Sequence, residues 1–201
     1  MLDIEAWLEK WSRAVRDSFV SRVCFMGLQG SRARGEAGAE SDIDTVLILD
    51  ELSASDLARL RQAVAALPER DKLCGFVSGK EELRSWERSE LFQFYNDTRP
   101  IFGSLDFLLP LLDREAALRS ARTGACAVYH GCAHLLLHGG GQAELRELRK
   151  AAFFALRALT WLETGSFPGS RAELDESSRA LLESGPEDLL AWASGVIKNV
   201  F

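Results

Sequence analysis

Two aspartates one residue apart, Asp42 and Asp44, stand at the start of the apolar run Ile43 to Leu49. In a strand alternate side chains share a face, so both carboxylates aim one way with Cα atoms about 6.5 to 7 Å apart, while Ile43 points to the core. Such a pair is costly unless a cation neutralises it, and hard divalent ions with oxygen ligands serve. Magnesium, with manganese as the alternative, is the expected metal, because it combines one or two carboxylates with phosphate oxygens and water, a ligand set that a nucleoside triphosphate such as ATP completes. Ten residues separate Asp42 from the preceding Gly30-Ser31 pair. Gly30 lets the backbone approach an anion, successive N–H groups can face it, and the Ser31 hydroxyl adds a donor. Arg32 and Arg34 are nearby cations, and Arg32 is assigned with Gly30 and Ser31 to the triphosphate. In two-metal phosphoryl transfer one ion activates the attacking hydroxyl and the other steadies the departing pyrophosphate, about 3.5 to 4 Å away. Asp42 and Asp44 are therefore the expected metal ligands and catalytic residues.

The elements that must hold these residues are readable from periodicity. Ile4, Trp7, Leu8, Trp11, Val15 and Phe19 recur at helical spacing, which predicts a helix over Asp3 to Val20. Arg22 to Leu28 reads as a buried strand ending at Gly27, and a loop rich in Gly, Ala, Ser and charge follows. Ile43 to Leu49 is the second strand. Ser53 or Ser55 caps a helix carrying Leu57, Leu60, Val64 and Leu67, which Pro68 ends. Leu73 to Ser78 reads as a third strand, Lys80 to Trp86 as a short helix, and Pro100 to Leu109 as extended or irregular. Beyond Pro110 no strand is evident: helices are expected over Asp113 to His138 and Ala143 to Glu163, broken by Gly139-Gly140-Gly141, with two shorter ones after the Gly165 to Gly169 turn. The expected architecture is α+β, a small mixed β-sheet flanked by helices over residues 1–110, then an antiparallel all-α helical bundle domain over 111–201.

Composition narrows the class. With 47% apolar residues, 201 residues suffice for a packed core. The first 110 residues carry 14 basic and 19 acidic side chains, so most of the net charge of -6 lies there. Neither half has the basic excess of a protein that grips long nucleic acid. No apolar run approaches the roughly 18 residues of a membrane span, and the first residues lack a basic-then-apolar leader, so a cytoplasmic location is expected. The scattered cysteines Cys24, Cys74, Cys126 and Cys132 behave as small hydrophobes and point away from disulfides.

Gly30-Ser31-Arg32-Ala33-Arg34-Gly35 through Ser41-Asp42-Ile43-Asp44 resembles the signature of the polymerase-beta-like nucleotidyltransferase superfamily, with minimal and antibiotic nucleotidyltransferases as the nearest relatives. The resemblance covers about the first 110 residues; the stretch from Lys150 to Pro168 is similar to the helical domains that follow in such enzymes and close over the acceptor. It implies transfer of a nucleoside monophosphate, AMP by expectation, from a triphosphate to an acceptor hydroxyl, with release of pyrophosphate. Two acceptor classes fit: a small hydroxylated molecule of the aminoglycoside kind, and a protein hydroxyl such as a tyrosine in a toxin partner. The acidic first half favours a cationic acceptor. The pattern departs at a third carboxylate, normally on the neighbouring strand, since Leu73-Cys74-Gly75-Phe76-Val77 has none. Asp71, Glu81, Glu82, Asp97, Asp106, Glu115 and Glu144 are the alternatives. The departure keeps open a different class, an antitoxin-like module that binds nucleotide or a protein partner without turnover. The oligomeric state is left open.

Other features read as structural. Ser78-Gly79-Lys80 is no P-loop, because Cys74 stands where the first glycine belongs and Glu81 where Ser or Thr is needed. His130, His134 and His138 continue a ladder from Cys126 on one helical face, but one helix offers only two adjacent rungs to an ion, so a structural or substrate-facing stripe is the expectation over zinc. Phe153, Phe154, Trp161 and Trp192 are assigned to a helical core.

Overall fold

The computed structural model describes residues 2–199. The chain divides into two compact units, one of residues up to Trp86 with Asp97–Leu109, the other of Glu87–Asn96 with residues from Pro110 onward.

In the first unit, helix α1 (Ile4–Phe19) begins where the Asp3 carboxylate accepts the Ala6 N–H and buries the stripe Trp7, Leu8, Trp11, Val15 and Phe19. Strands β1 (Val23–Leu28), β2 (Ile43–Leu49), β3 (Leu73–Gly79) and β4 (Arg99–Gly103) form one sheet in the order β3-β2-β1-β4. β1 is antiparallel to both neighbours and β2 is parallel to β3, so the sheet is mixed. Alternation divides β2 cleanly: Ile43, Leu47 and Leu49 join Met26, Leu28 and the α1 stripe in one core, and Asp44 lies on the opposite face. A parallel β2–β3 pair needs a crossover, which helix α3 (Ala54–Ala63) supplies. Ser53 and Asp56 cap it reciprocally, and Arg22 clamps it from the foot of β1, bonding Asp56 at 2.7 Å and Asp50 at 3.0 Å. Those bonds, Arg22 first and Ser53 next, hold the Asp56 carboxyl well below the usual carboxylate range.

Two features, a helical turn and a helix, differ from the sequence reading, and the segment read as extended or irregular resolves into a strand and a 3-10 turn. The expected loop after β1 contains a single helical turn, α2 (Gly30–Ala33). β4 occupies the first part of Pro100 to Leu109, and a 3-10 turn covers Asp106–Leu111. Pro100 is tolerated because β4 is an edge strand paired only with β1. Helix α5 (Arg88–Asp97) falls where the sequence suggested nothing, just after the short helix α4 (Lys80–Arg84). Its start signal is unusual: the Glu87 carboxylate accepts both the N–H and the hydroxyl of Ser89, a role ordinarily taken by Ser, Thr, Asp or Asn.

The second unit is helical. α6 (Arg114–His138) and α7 (Gln142–Thr164) run antiparallel, as Gly131 meets Leu148 and Gly124 meets Ala155 across their contact. A Cβ on Gly124 would lie 2.9 Å from that of Ala155, so the two helices approach through the missing side chain. α8 (Glu176–Glu183) and α9 (Pro186–Asn199) complete a core of Val128, Phe153, Leu156, Leu182, Leu189 and Val196. Phe92 of α5 meets the Trp161 and Phe167 rings edge-on, 5.0 and 5.7 Å between centroids. Buried Arg157 donates to the Pro168 carbonyl at 2.7 Å and stacks 4.2 Å from the Phe167 ring centroid, fixing the turn after α7. Among the described residues no helix is long and apolar enough to cross a membrane.

Candidate active site

The pairing of β1 with β2 assembles the site. Leu28 stands opposite Thr45, and the ladder continues one step as the Gln29 N–H donates to the Asp44 carbonyl at 2.7 Å. That bond brings the next residue, Gly30, against the Asp44 side chain. Gly30 has φ +70, and a Cβ there would lie 2.0 Å from Asp44 Oδ2. Only glycine satisfies both conditions. The carboxylate of Asp44 therefore rests on the backbone that begins α2, where first-turn N–H groups lack intrahelical acceptors. Ser31 is half-buried, and among the described residues no hydrogen bond engages its hydroxyl. Asp42 is exposed at the mouth of β2, two residues from half-buried Asp44 on the same face.

The returning loop is held by side chains. Arg32 donates from Nε to the Asp42 carbonyl at 2.9 Å and from Nη2 to the Ser41 carbonyl at 2.6 Å, so the cation assigned to triphosphate also fixes the chain that presents Asp42. Gly38 N–H bonds the Ser41 hydroxyl, and Lys72 Nζ reaches the Ala39 carbonyl at 3.0 Å. Arg34 Nη1 meets both Asp97 oxygens at 3.0 Å, and its Nε pairs with Glu36 at 3.0 Å. The Gln29 amide bonds the Thr98 hydroxyl at 2.7 Å. None of Gln29, Thr98 and Lys72 was singled out in the sequence; each acts across a separation of 33 or more residues, which periodicity does not register.

On the neighbouring strand Cys74 stands in register with Asp44, on the same face and exposed. The residue directly across from the second aspartate is thus a thiol where a carboxylate would complete the oxygen set. Of the alternatives, Asp97 is neutralised by Arg34, and Glu144 caps its own helix through the Gly141 N–H at 2.9 Å, backbone hydrogen bonds lowering its pKa. Glu81 and Glu82 lie exposed in the first turn of α4, Asp71 in a 3-10 turn, Asp106 at the start of another, and Glu115 is exposed in the first turn of α6. Among the described residues no three His, Cys, Asp or Glu side chains converge as a metal-binding group. His130, His134 and His138 are exposed on α6, with the last two rings 4.6 Å apart. The pair Asp42 and Asp44 offers only hard oxygen donors, and Asp44 lies against a glycine whose missing side chain leaves the carboxylate its place, which fits a magnesium ion whose remaining ligands are phosphate oxygens and water.

A mixed sheet whose second strand is preceded by Asp42 and carries Asp44 beside a Gly-Ser turn, followed by a helical region, has the nucleotidyltransferase fold. Residues 8–95 match the family model of the nucleotidyltransferase domain, so the whole Gly30 to Asp44 segment lies within it. Among solved structures, the chain is similar to a spectinomycin adenyltransferase from Enterococcus faecialis, determined with ATP and spectinomycin: TM-score 0.56 at 12% identity, covering 97% of this chain and 90% of that one. A toxin-antitoxin structure with AMP-PNP also matches, with TM-score 0.37 and 21% identity over 52% of this chain and 79% of that one. No curated protein matches the sequence.

Proposed function

We propose that the protein transfers a nucleoside monophosphate, AMP from ATP, to a hydroxyl of a small cationic acceptor of the aminoglycoside kind, releasing pyrophosphate. The observation that supports this reading is the close approach of the Asp44 carboxylate to Gly30, since a turn that bound phosphate and a carboxylate that held its metal would have to adjoin in this way. Gly30 and Ser31 orient the triphosphate through backbone N–H groups and the Ser31 hydroxyl. Arg32 keeps Asp42 in place by its two carbonyl bonds and adds positive charge beside the phosphates. Asp42 and Asp44 hold the magnesium, which when bound polarises the α-phosphate and neutralises the charge that develops on it. The net negative charge of the first 110 residues supports a cationic acceptor. A protein hydroxyl remains the second acceptor class.

The thiol across from Asp44 favours a second reading, a nucleotide-binding module without turnover. One experiment separates the two. Purified protein with magnesium, α-labelled ATP and a panel of aminoglycosides is expected to give labelled acceptor and pyrophosphate, and Asp44→Asn abolishes both. ATP binding with no product from any acceptor supports the module; unchanged transfer by Asp44→Asn overturns the assignment of the site.

A further inference from the structure

On the face of the sheet opposite Asp44, a cavity of about 270 Å³ opens between α3 and the back of β2 and β3. Its wall is apolar, with Leu47 of β2, Leu60 of α3 and Val77 of β3. Because β2 and β3 are parallel, α3 runs back along the sheet, so Arg61 near its end lies over the starts of the two strands. Arg70, just before β3, lines the same end. Among the described residues neither arginine has an ion-pair partner. A second, independent feature marks this end: Thr45 is 5% exposed, lines the cavity, and its hydroxyl has no hydrogen-bond partner among the described residues. Gly75 keeps the space beside it open, since a Cβ there would lie 2.6 Å from Thr45 Oγ1. The cavity is thus polarised, with two cations and the Thr45 hydroxyl at one end of an otherwise apolar wall.

We propose that this groove binds a small amphipathic carboxylate, its head on Arg61, Arg70 and the Thr45 hydroxyl and its chain along Leu47, Leu60 and Val77. Unpaired guanidinium groups beside a hydroxyl select an oxyanion over an amine or an alcohol. The volume falls just below the roughly 300 Å³ at which ligand pockets begin, which limits the apolar part to a chain of about eight carbons. The site is separate from the nucleotide turn, although Thr45 adjoins Asp44 in sequence, because successive strand residues face opposite ways.

The test is calorimetric titration of the full chain with octanoate, with hexanoate, octylammonium and octanol as comparators. Octanoate is expected to bind saturably at one site, hexanoate about tenfold more weakly from the loss of two buried methylenes, and octylammonium and octanol more than tenfold more weakly. Arg61→Gln with Arg70→Gln is expected to weaken octanoate at least tenfold, and Leu60→Trp, which fills the groove, to abolish binding, each in protein of unchanged circular dichroism. Asp44→Asn leaves octanoate binding unaltered, which keeps this result independent of the nucleotidyltransferase reading. Equal affinity for octanol or octylammonium, binding that survives the double arginine substitution or Leu60→Trp, or no saturable binding overturns the proposal. Should the double variant misfold, Thr45→Val takes its place, with a severalfold loss expected and unchanged affinity counting against the site.

Discussion

Gly30→Ala isolates the geometry on which the active-site assignment rests. At φ +70 an alanine occupies the left-handed region, at a cost of roughly 1–2 kcal/mol relative to glycine. The added Cβ would also lie 2.0 Å from Asp44 Oδ2, and contacts shorter than 3.0 Å do not occur, so the carboxylate must retreat by about 1 Å. A side chain can swing away cheaply, so stability should fall by only the backbone term, about 1–2 kcal/mol, read by urea denaturation. Catalysis should suffer far more, because a 1 Å misplacement of a group that orients the reacting phosphate costs on the order of 100-fold in rate. Initial rates of labelled AMP transfer measured beside the unfolding curve separate the two effects. A variant that unfolds at the wild-type urea midpoint would refute the strained turn. A destabilised variant that retains wild-type transfer would refute the placement of Asp44 at the phosphate.

Three further outcomes are expected. Cys74→Asp adds an oxygen donor in register with Asp44 and should tighten manganese binding at least tenfold and raise transfer, measured by titration and by initial rates; unchanged metal affinity would show that the neighbouring strand does not reach the ion. Arg34→Met removes a bidentate partner of an Asp97 carboxylate that is 10% exposed and should cost about 2 kcal/mol in urea, with increased amide exchange over residues 34–42; Asp97→Asn should add less than its own cost in the double variant. Hydrogen bonds from the Ser177 hydroxyl and from the N–H and hydroxyl of Ser178 lower the Asp175 carboxyl to about 2. A depressed folded-state pKa contributes stability that is present above the ordinary value of 3.8 and is lost as pH falls toward 2. Asp175→Asn keeps a cap on α8 but removes the titrating group, so the drop in urea midpoint between pH 5 and 2.5 should shrink.

The sequence by itself determined the parts whose causes are local. The stripe from Trp7 to Phe19 specifies α1 because its 3.6-residue period is unbroken, and Val46-Leu47-Ile48-Leu49 specifies β2 because β-branched and leucine side chains fill both faces of a central strand. The alternation of β2 also makes Asp42 and Asp44 a pair, and the glycine breaks divide the helical region correctly. Helix α5 was not legible: it is ten residues long, a glutamate rather than Ser, Thr, Asp or Asn starts it, and its buried residues Ser89, Leu91 and Phe92 mix polar with apolar types. What only the tertiary structure decided is which residues meet. That Gly30 must be glycine follows from a register between β1 and β2 that places it on the Asp44 carboxylate, and the parallel pairing of β2 with β3 puts Cys74, with no acid beside it on that strand, across from the same side chain. Register is set by how two apolar faces fit against α1 and α3, a sum over many weak contacts distant in sequence, so no single spacing records it.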